Sequence, residues 1–468
     1  MTFEVDVVII GAGPAGMSTA GALHEYDRKV VILDEQVEPG GQIYKAIESV
    51  SRDRPEELNF LGSAYSDGIK LTKKFRSKII DYRPGSTVWH IGKSTSTNHY
   101  DVFYSCRGIS KKLSTKYIVL ASGAMERPVP IPGWTLPGVM TIGAAQSALK
   151  TSGVYPAGNL VLAGSGPLVL QFASQLIAAE VQISAIIDTA PAGAFLSALR
   201  YLPRALFAFG YLYKGGQLMR KLKRSGVKVY RNGSCLRVLG NQRVQKLCFE
   251  SNGMEFSLQA DIVALHEGVI PNTQLTRLLD IKHTWSEGQR SFFPIVDTCG
   301  ESSKEGIFIV GDSAGVFGSK TAEYNGFIAG LSIAERLGCI KESYWNLMIK
   351  EKKLRRFLDG SIRPFLDALF PAPKWVGLTD DATIICRCEE VTAAEIRSVV
   401  AQGCSGPNQA KAFLRCGMGV CQGRMCAASV TEVMSEALGR APSDVGSYRI
   451  RPPIKPLSLS EIASLSDE

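Results

Sequence analysis

With 468 residues, 45% hydrophobic and 21% charged, the chain has an ordinary globular composition and is too long for one core, so two or three domains are expected. Its net charge of +9 is modest for that length, and Lys and Arg are mixed with acids, which argues against a nucleic-acid partner. Eleven cysteines without a recognisable secretory leader point away from disulfides and toward metal or redox use in a reducing, cytoplasmic setting.

The opening "MTFEVDVVII" runs directly into a nearly continuous apolar stretch, as expected for a parallel strand buried on both faces. Gly11-Ala12-Gly13-Pro14-Ala15-Gly16 follows at once, and "MSTAGALHEY" then reads as a helix. Strand, Gly-x-Gly-x-x-Gly and helix in that order form the dinucleotide fingerprint. Gly11 permits the tight turn, Gly13 lets the backbone approach a pyrophosphate, and Gly16 lets the helix lie close on the sheet. The free N–H groups at the helix start favour phosphate. The next strand, "KVVILDE", ends in Asp34 and Glu35, where an acid can hold a ribose hydroxyl.

Four further pieces favour a flavin over a nicotinamide. Gly40-Gly41-Gln42 is a loop able to run close under an isoalloxazine ring, and "YIVLASGAMERPVPIPG" (117–133) is a strand running into Ser122-Gly123-Ala124. "GIFIVGDSAG" (306–315) is a strand ending in Gly311-Asp312, suited to a ribityl chain or pyrophosphate. The helix "KTAEYNGFIAGLSIAERL" after it starts at the same site. Together these resemble the flavoproteins of the glutathione-reductase and thioredoxin-reductase type, over roughly residues 1–340. The resemblance implies FAD held by Gly11, Gly13, Pro14, Ala15, Gly16, Asp34, Glu35, Gly41, Gln42, Gly123, Ala124, Gly311 and Asp312.

Inside that span, "NLVLAGSGPLVLQFASQLIAA" (159–179) repeats strand, glycine loop and helix, and "VQISAIIDTAP" ends a further strand at Asp188. Gly164 and Gly166 are present, but Val169 stands at the third glycine position and obstructs close helix–strand packing. The fold is expected to be intact; a pyridine nucleotide, another nucleotide or no ligand remain open there. No Cys-x-x-Cys occurs, so a disulfide relay has no hardware. The apolar stretch 194–213 carries Arg200, Pro203 and Arg204, which argues against a membrane span and for a pair of helices in this domain or against a partner subunit. "RKLKRSGVKVYR" (220–231) reads as a solvated helix followed by a strand. His266 and Glu267 follow a strand-like "DIVAL" and read as structural; no catalytic acid, base or nucleophile is assigned.

After a Pro- and Asp-containing stretch (370–382) come Cys386-Arg387-Cys388. In an extended segment these side chains point the same way, some ~6–7 Å apart at Cα, and can share a metal. Cys421 and Cys426 supply a second pair in "RCGMGVCQGRMC"; on a regular helix they would diverge by about 140°, so Gly417, Gly419 and Gly423 imply a wrapping loop. Four thiolates without histidine suit a [2Fe–2S] cluster or a structural zinc.

"CRCEEVT" followed by "CQGRMC" resembles the bacterioferritin-associated-ferredoxin-type [2Fe–2S] module. With "GAMERPVPIPGWTLPGVMTIGAAQ", "GVIPNTQL" and "RIRPPIKPLSL", nearly the whole chain resembles the flavoprotein α subunits of heteromeric dye-linked amino-acid dehydrogenases. That family includes hydrogen cyanide synthase, the octopine and nopaline oxidases, D-hydroxyproline and L-proline dehydrogenases, and the sarcosine oxidase α subunit. The resemblance implies an α/β fold with two Rossmann-like domains and a small helical [2Fe–2S] domain. The parts are 1–136 and 284–340 for FAD, 137–283 for the inserted domain, 341–380 a helical linker, 381–440 the cluster domain and 441–468 a subunit-contacting tail. Cys386, Cys388, Cys421 and Cys426 would be the cluster ligands, Cys416 a competitor for Cys421, and Cys404 structural.

The implied activity is oxidation at CH–NH donors by an FAD-containing, amino-acid-oxidase-like β subunit; a small γ subunit is compatible too. This chain would carry the electrons, with FMN at a subunit interface or a second nucleotide in the inserted domain as further cofactors. The acceptor would be a quinone or cytochrome at the inner membrane, with the complex peripheral to it. Two other readings remain: a self-sufficient NAD(P)H-dependent reductase with the cluster as outlet, or a structural subunit with a degenerate flavin site and zinc.

Overall fold

The expected first strand, β1 (Phe3–Ile10), is buried on both faces; Val7, Val8 and Ile9 have no exposed surface. A computed structural model describes residues 3–94 and 98–465, so Met1, Thr2, 95–97 and the last three residues of the expected tail lie outside it. Helix α1 (Pro14–His24) follows, then β2 (Val30–Asp34), β3 (Asp81–Pro84), β4 (Ser86–Lys93), β5 (Tyr100–Cys106) and β6 (Ile109–Leu120). They form one sheet in the order β3-β2-β1-β6-β5-β4, with the strand Ile307–Ile309 joining parallel to the end of β6. β3, β2, β1 and β6 run parallel, while β5 and β4 return as an antiparallel meander. The parallel strands therefore deliver their C-terminal ends, and the loops after them, to a common edge.

The inserted domain has its own five-stranded parallel sheet. Its order is Val229–Tyr230, Ala185–Asp188, Leu160–Gly164, Ile262–His266, Val139–Thr141. A two-stranded ribbon, Ala124–Glu126 against Val269–Pro271, carries the chain out of the first domain and back. The exchange thus lies somewhat upstream of the boundaries expected at 136 and 283.

Residues 194–213 form two short helices, Ala194–Leu199 and Leu202–Ala205, and enter a third, Phe209–Arg224, whose basic end leads to the strand Val229–Tyr230. Phe195, Leu196 and Phe209 on them, and Phe207 in the turn Leu206–Ala208 between the last two, remain exposed. No helix among the described residues is long and apolar enough to cross a membrane.

The 341–380 stretch holds two helices, Glu342–Gly360 and Arg363–Leu369. The module beyond it is not a tethered bead. Ile385, Cys386, Val430 and Tyr448 belong to the same apolar cluster as Val8, Ile10 and Leu120 of the first domain. Trp134 donates its indole N–H to the carbonyl of Ile384 (2.7 Å), and Gln274 donates to the carbonyl of Gln422 (2.9 Å). Arg290 grips Glu432 of the module's last long helix, Ala427–Leu438, with both partners mostly buried. Breaking one side of such a pair leaves a buried charge and costs about 3 kcal/mol or more.

The tail, expected to strap a partner, lies on its own chain. The Ile454 amide donates to the Trp89 carbonyl (3.0 Å), Lys455 pairs with Glu35 (2.7 Å), and Glu461 accepts from Ser105. β4 is the free edge of the meander, and the tail covers part of it at Trp89.

Candidate functional site

The first glycine loop is a slot between bare backbones. Gly13 caps α1 with no side chain, Pro14 opens the helix, and Gly41 faces Gly13 at a φ of +62°. A Cβ on Gly41 would stand 3.0 Å from the Gly13 Cα, and one on Gly16 1.9 Å from the Gly11 carbonyl oxygen. The slot stays open only because its glycines carry no side chain, and the first N–H groups of α1 have no side-chain cap. On the opposite wall, Gly311 lies against Ala15, where a Cβ would come within 2.8 Å of the alanine methyl.

The acids are partly committed. Asp34 accepts from the Ala12 amide (2.5 Å) and the Gln36 amide (2.7 Å), so one carboxylate clamps the loop from both sides; burial raises its pKa. Glu35, the other expected ribose holder, is paired with Lys455 from the tail. Asp312 uses one oxygen for the amides of Phe317 (3.1 Å) and Gly318 (3.3 Å), fixing the turn before the helix Ser319–Arg336, which also starts at an uncapped glycine. Gly123 has a φ of +65°, and its carbonyl accepts from the Asn272 amide (3.0 Å), tying the first crossover to the second. Gln42 lies beyond Gly41, and its carbonyl accepts from Lys150.

Lys150 was not foreseeable as a site residue. Its ammonium is buried and donates to the carbonyls of Gln42 and Ile43 and to Gln146, each at 3.1 Å. Burial lowers its pKa to about 7. A helix of the inserted domain, Ile142–Ser152, thereby holds the glycine loop of the first. The signal was thin: a lysine in the last turn of a helix ordinarily reads as solvated.

The second glycine loop is built but crowded. Gly164 and Gly166 take φ values of +143° and +135°, and Val169 is buried in the helix Pro167–Ala178. His266 sits against Gly166, and its Nδ1 is 2.6 Å from Glu126, whose other oxygen accepts from the Gly143 amide. The histidine is satisfied, as its structural reading expects. Glu267 is buried, accepts from Thr189 next to Asp188 (2.7 Å), and burial pushes its pKa up to about 7. Arg127 lies beside it, donating to the carbonyls of Glu267 and Arg290, each at 3.0 Å, and of Gln289.

A carboxyl with a raised folded pKa costs nothing below its unfolded pKa and its full penalty above the folded value. Stability is therefore expected to fall as pH rises from about 4.5 through about 7. The loss from this group is on the order of 3 kcal/mol. Urea unfolding at pH 5 and pH 8 should show that part of the slope vanish in Glu267→Gln; an unchanged slope would refute the assignment.

In the C-terminal module the hairpin Ile384–Cys386 with Val391–Thr392 carries the first cysteine. Arg387–Glu390 form a turn, with Glu390 at a φ of +53°, so Cys388 is not in the extended segment expected; it is carried round the turn. The second pair lies in an irregular loop that ends at Cys426, the residue capping Ala427–Leu438, as the three glycines predict. The thiols meet across the two segments, Cys386 with Cys426 and Cys388 with Cys421.

Contact with Cys426 is the largest influence holding Cys386 down to about 6; burial opposes it, and N–H groups of Gly417, Glu389 and Cys388 assist. Among the described residues no three His, Cys, Asp or Glu side chains are gathered as tightly as a metal site requires. The chemistry of the donor set nevertheless fits an iron–sulfur cluster: two facing thiol pairs, backbone amides directed at a sulfur, and a glycine, Gly419, packed on Cys388.

Cys416 is turned to Tyr448 instead of Cys388, and burial raises its pKa. Cys404 donates to the Gly406 carbonyl (3.5 Å). Tyr448 is the residue sequence reasoning missed. A Cβ on Gly417 or Gly423 would meet its ring at 2.6 or 2.7 Å, so the loop folds around it, and its hydroxyl reaches the Cys426 sulfur at 3.8 Å. Two glycines that need an aromatic partner were the available signal.

Residues 5–326 match the family model described as "Pyridine nucleotide-disulphide oxidoreductase". The chain belongs to that family. Its members are FAD-dependent oxidoreductases, and this chain is one. Residues 381–465 match the "Sarcosine oxidase A3 domain". An opine oxidase subunit of Rhizobium meliloti is 42% identical over 466 residues, covering 98% of this chain and 87% of the relative. The hydrogen cyanide synthase subunit HcnB of Pseudomonas aeruginosa is 30% identical, covering 98% of this chain and 99% of the relative. Among solved structures, L-proline dehydrogenase from P. horikoshii superposes with a TM-score of 0.69 at 18% identity, over 98% of this chain and 80% of that one, which shows the shared fold. In this oxidoreductase the strand ends Ile10, Leu33 and Leu120 and the buried cysteines Cys386 and Cys426 share one apolar cluster.

Proposed function

We propose that this chain is the electron-transferring α subunit of a heteromeric amino-acid or opine oxidase. The observation that carries the proposal is the pair of facing thiol couples, whose buried members Cys386 and Cys426 share an apolar cluster with Ile10, Leu33 and Leu120 at the strand ends of the first domain. The relatives named as subunits of opine oxidase and of hydrogen cyanide synthase, similar over nearly the whole chain, support a role within a larger complex.

FAD, when bound, takes up two electrons and releases them singly, and a [2Fe–2S] cluster passes on one at a time. The chain's own part is holding and insulating. Gly13, Ala15 and Gly16 would present amides to the pyrophosphate, with Gly11, whose own amide donates to the Leu33 carbonyl, and Pro14, which has no N–H, shaping the loop; Asp34 and Glu35 would face the ribose; Gly41, Gln42, Gly123, Ala124, Gly311 and Asp312 would line the remainder. Cys386, Cys388, Cys421 and Cys426 would hold the iron. The C–N bond would be oxidised in an FAD-containing β subunit, and the exposed phenylalanines at 195, 207 and 209 offer apolar area for contact with it.

The test is the purified chain alone and mixed with the co-expressed partner. The chain by itself should hold flavin and iron yet oxidise no amino acid or opine, and turnover should appear when the partner is added. Rapid bleaching of its flavin by NADH, sufficient for turnover without a partner, would defeat the proposal in favour of a self-sufficient reductase.

A further inference from the structure

Between the first domain and the cysteine loop lies a cleft that none of these roles uses. Its walls come from the segment after the second crossover, from the hairpin His283–Ser286 with Ser291–Pro294, and from the cysteine loop at Gly423 and Arg424. Three buried polar atoms on these walls have no partner: the Trp285 indole N–H, the Ser291 hydroxyl and the Gln274 side-chain oxygen. Ser291 and Gln274 are only 3% and 8% exposed. The Gln274 amide is oriented by its N–H donation to Gln422, which turns its oxygen to the other side.

Arg277 lines the same cleft. Its guanidinium lies over the Phe292 ring, 4.8 Å from the centroid, and donates from Nε to Thr273 (3.2 Å). Among the described residues no carboxylate forms an ion pair with it. Burial pulls its pKa down only to about 10, so it stays charged at neutral pH. A mostly buried guanidinium without a counter-charge is costly and is ordinarily matched by an anion.

The cleft therefore offers a cation, an N–H and an O–H, with Arg424 at its margin and no acid on its walls. That set excludes a cation and is poorly matched by a neutral ligand. The Gln274 oxygen adds one demand: the ligand must also carry a donor next to its negative oxygens. We infer that this cleft binds a small oxyanion bearing an adjacent hydroxyl or ammonium group, a phosphate or an amino-acid carboxylate. The inference does not depend on which cofactors occupy the glycine slot and the cysteines.

The experiment is thermal unfolding of the full chain at constant ionic strength, titrated with inorganic phosphate or with glycine against chloride. A ligand that binds only the folded state raises the midpoint saturably. Saturation by phosphate alone would assign a phosphate-bearing ligand, and saturation by glycine alone an amino acid. In Arg277→Met half-saturation should shift at least tenfold; in Trp285→Phe, which keeps the ring and removes the N–H, it should shift severalfold. Should Arg277→Met fail to fold, Arg277→Lys and Trp285→Phe carry the comparison. No saturable rise with either probe, meaning the cleft holds only water, would overturn the inference. So would equal titrations in the wild type and both variants.

Discussion

Cys388→Ala should abolish iron and sulfide binding while leaving the flavin in place. The reason to choose Cys388 is its position: it is the exposed member of the four, carried on a turn, whereas Cys386 and Cys426 are in the core. Truncating an exposed side chain ordinarily changes stability by less than about 0.5 kcal/mol. Loss of metal would then report ligation and not unfolding. Metal and sulfide analysis should fall from about two irons per chain to background. The reduced EPR signal should vanish, with the urea midpoint of a metal-free sample unchanged. Cys416→Ala is the companion, because that thiol faces Tyr448 and should keep its iron. If Cys416→Ala loses the cluster while Cys421→Ala retains it, the ligand assignment is wrong by one cysteine. If Cys388→Ala leaves the EPR signal intact, the four-cysteine site itself falls.

Gly41→Val should empty the flavin site. At a φ of +62° a branched side chain is strained by roughly 1–2 kcal/mol. Its Cβ would meet the Gly13 backbone at 3.0 Å, so the slot itself would be filled. Each 1.4 kcal/mol is a factor of ten in occupancy, and a drop in flavin per chain of tenfold or more is expected. Gly62→Ala provides the control. Gly62 has a φ of +90° but no atom within 4 Å of an added Cβ, so it carries strain without obstruction. Flavin absorbance per chain after gel filtration should separate the two. Equal flavin content in both variants would mean that the slot is not where the cofactor sits.

The parallel sheet, both glycine loops and the looped second cysteine pair were legible because each rests on a local pattern: an apolar strand, a glycine that must bend, a helix start. What was not legible depends on groups far apart in the chain. Lys150 reaches residues 42 and 43 across about a hundred positions, and nothing in its helix separates it from a surface lysine. Tyr448 packs under glycines some twenty-five to thirty residues before it. The extended reading of Cys388 failed because a Cys-x-Cys spacing is compatible with a strand or a turn, and Glu390 in a left-handed conformation chose the turn. Asp34 and Glu35 were correctly found at the strand end, but their commitments to the Ala12 amide and to Lys455 are tertiary. The tail was expected to contact a partner subunit; its bonds to Trp89 and Glu35 of its own chain are tertiary and have no local signal.

The shared core under the cysteine loop has a mechanical meaning. Carriers that deliver electrons by swinging need a slack tether and two docking positions, and their turnover slows in viscous solvent. Here Trp134, Gln274 and Arg290 hold the module, and the tail that follows it is bonded to Trp89 and Glu35 of the first domain. The gap between the two proposed cofactor stations is thus a fixed property of the fold, set like a spark gap, and glycerol or sucrose should leave the internal transfer rate unaltered.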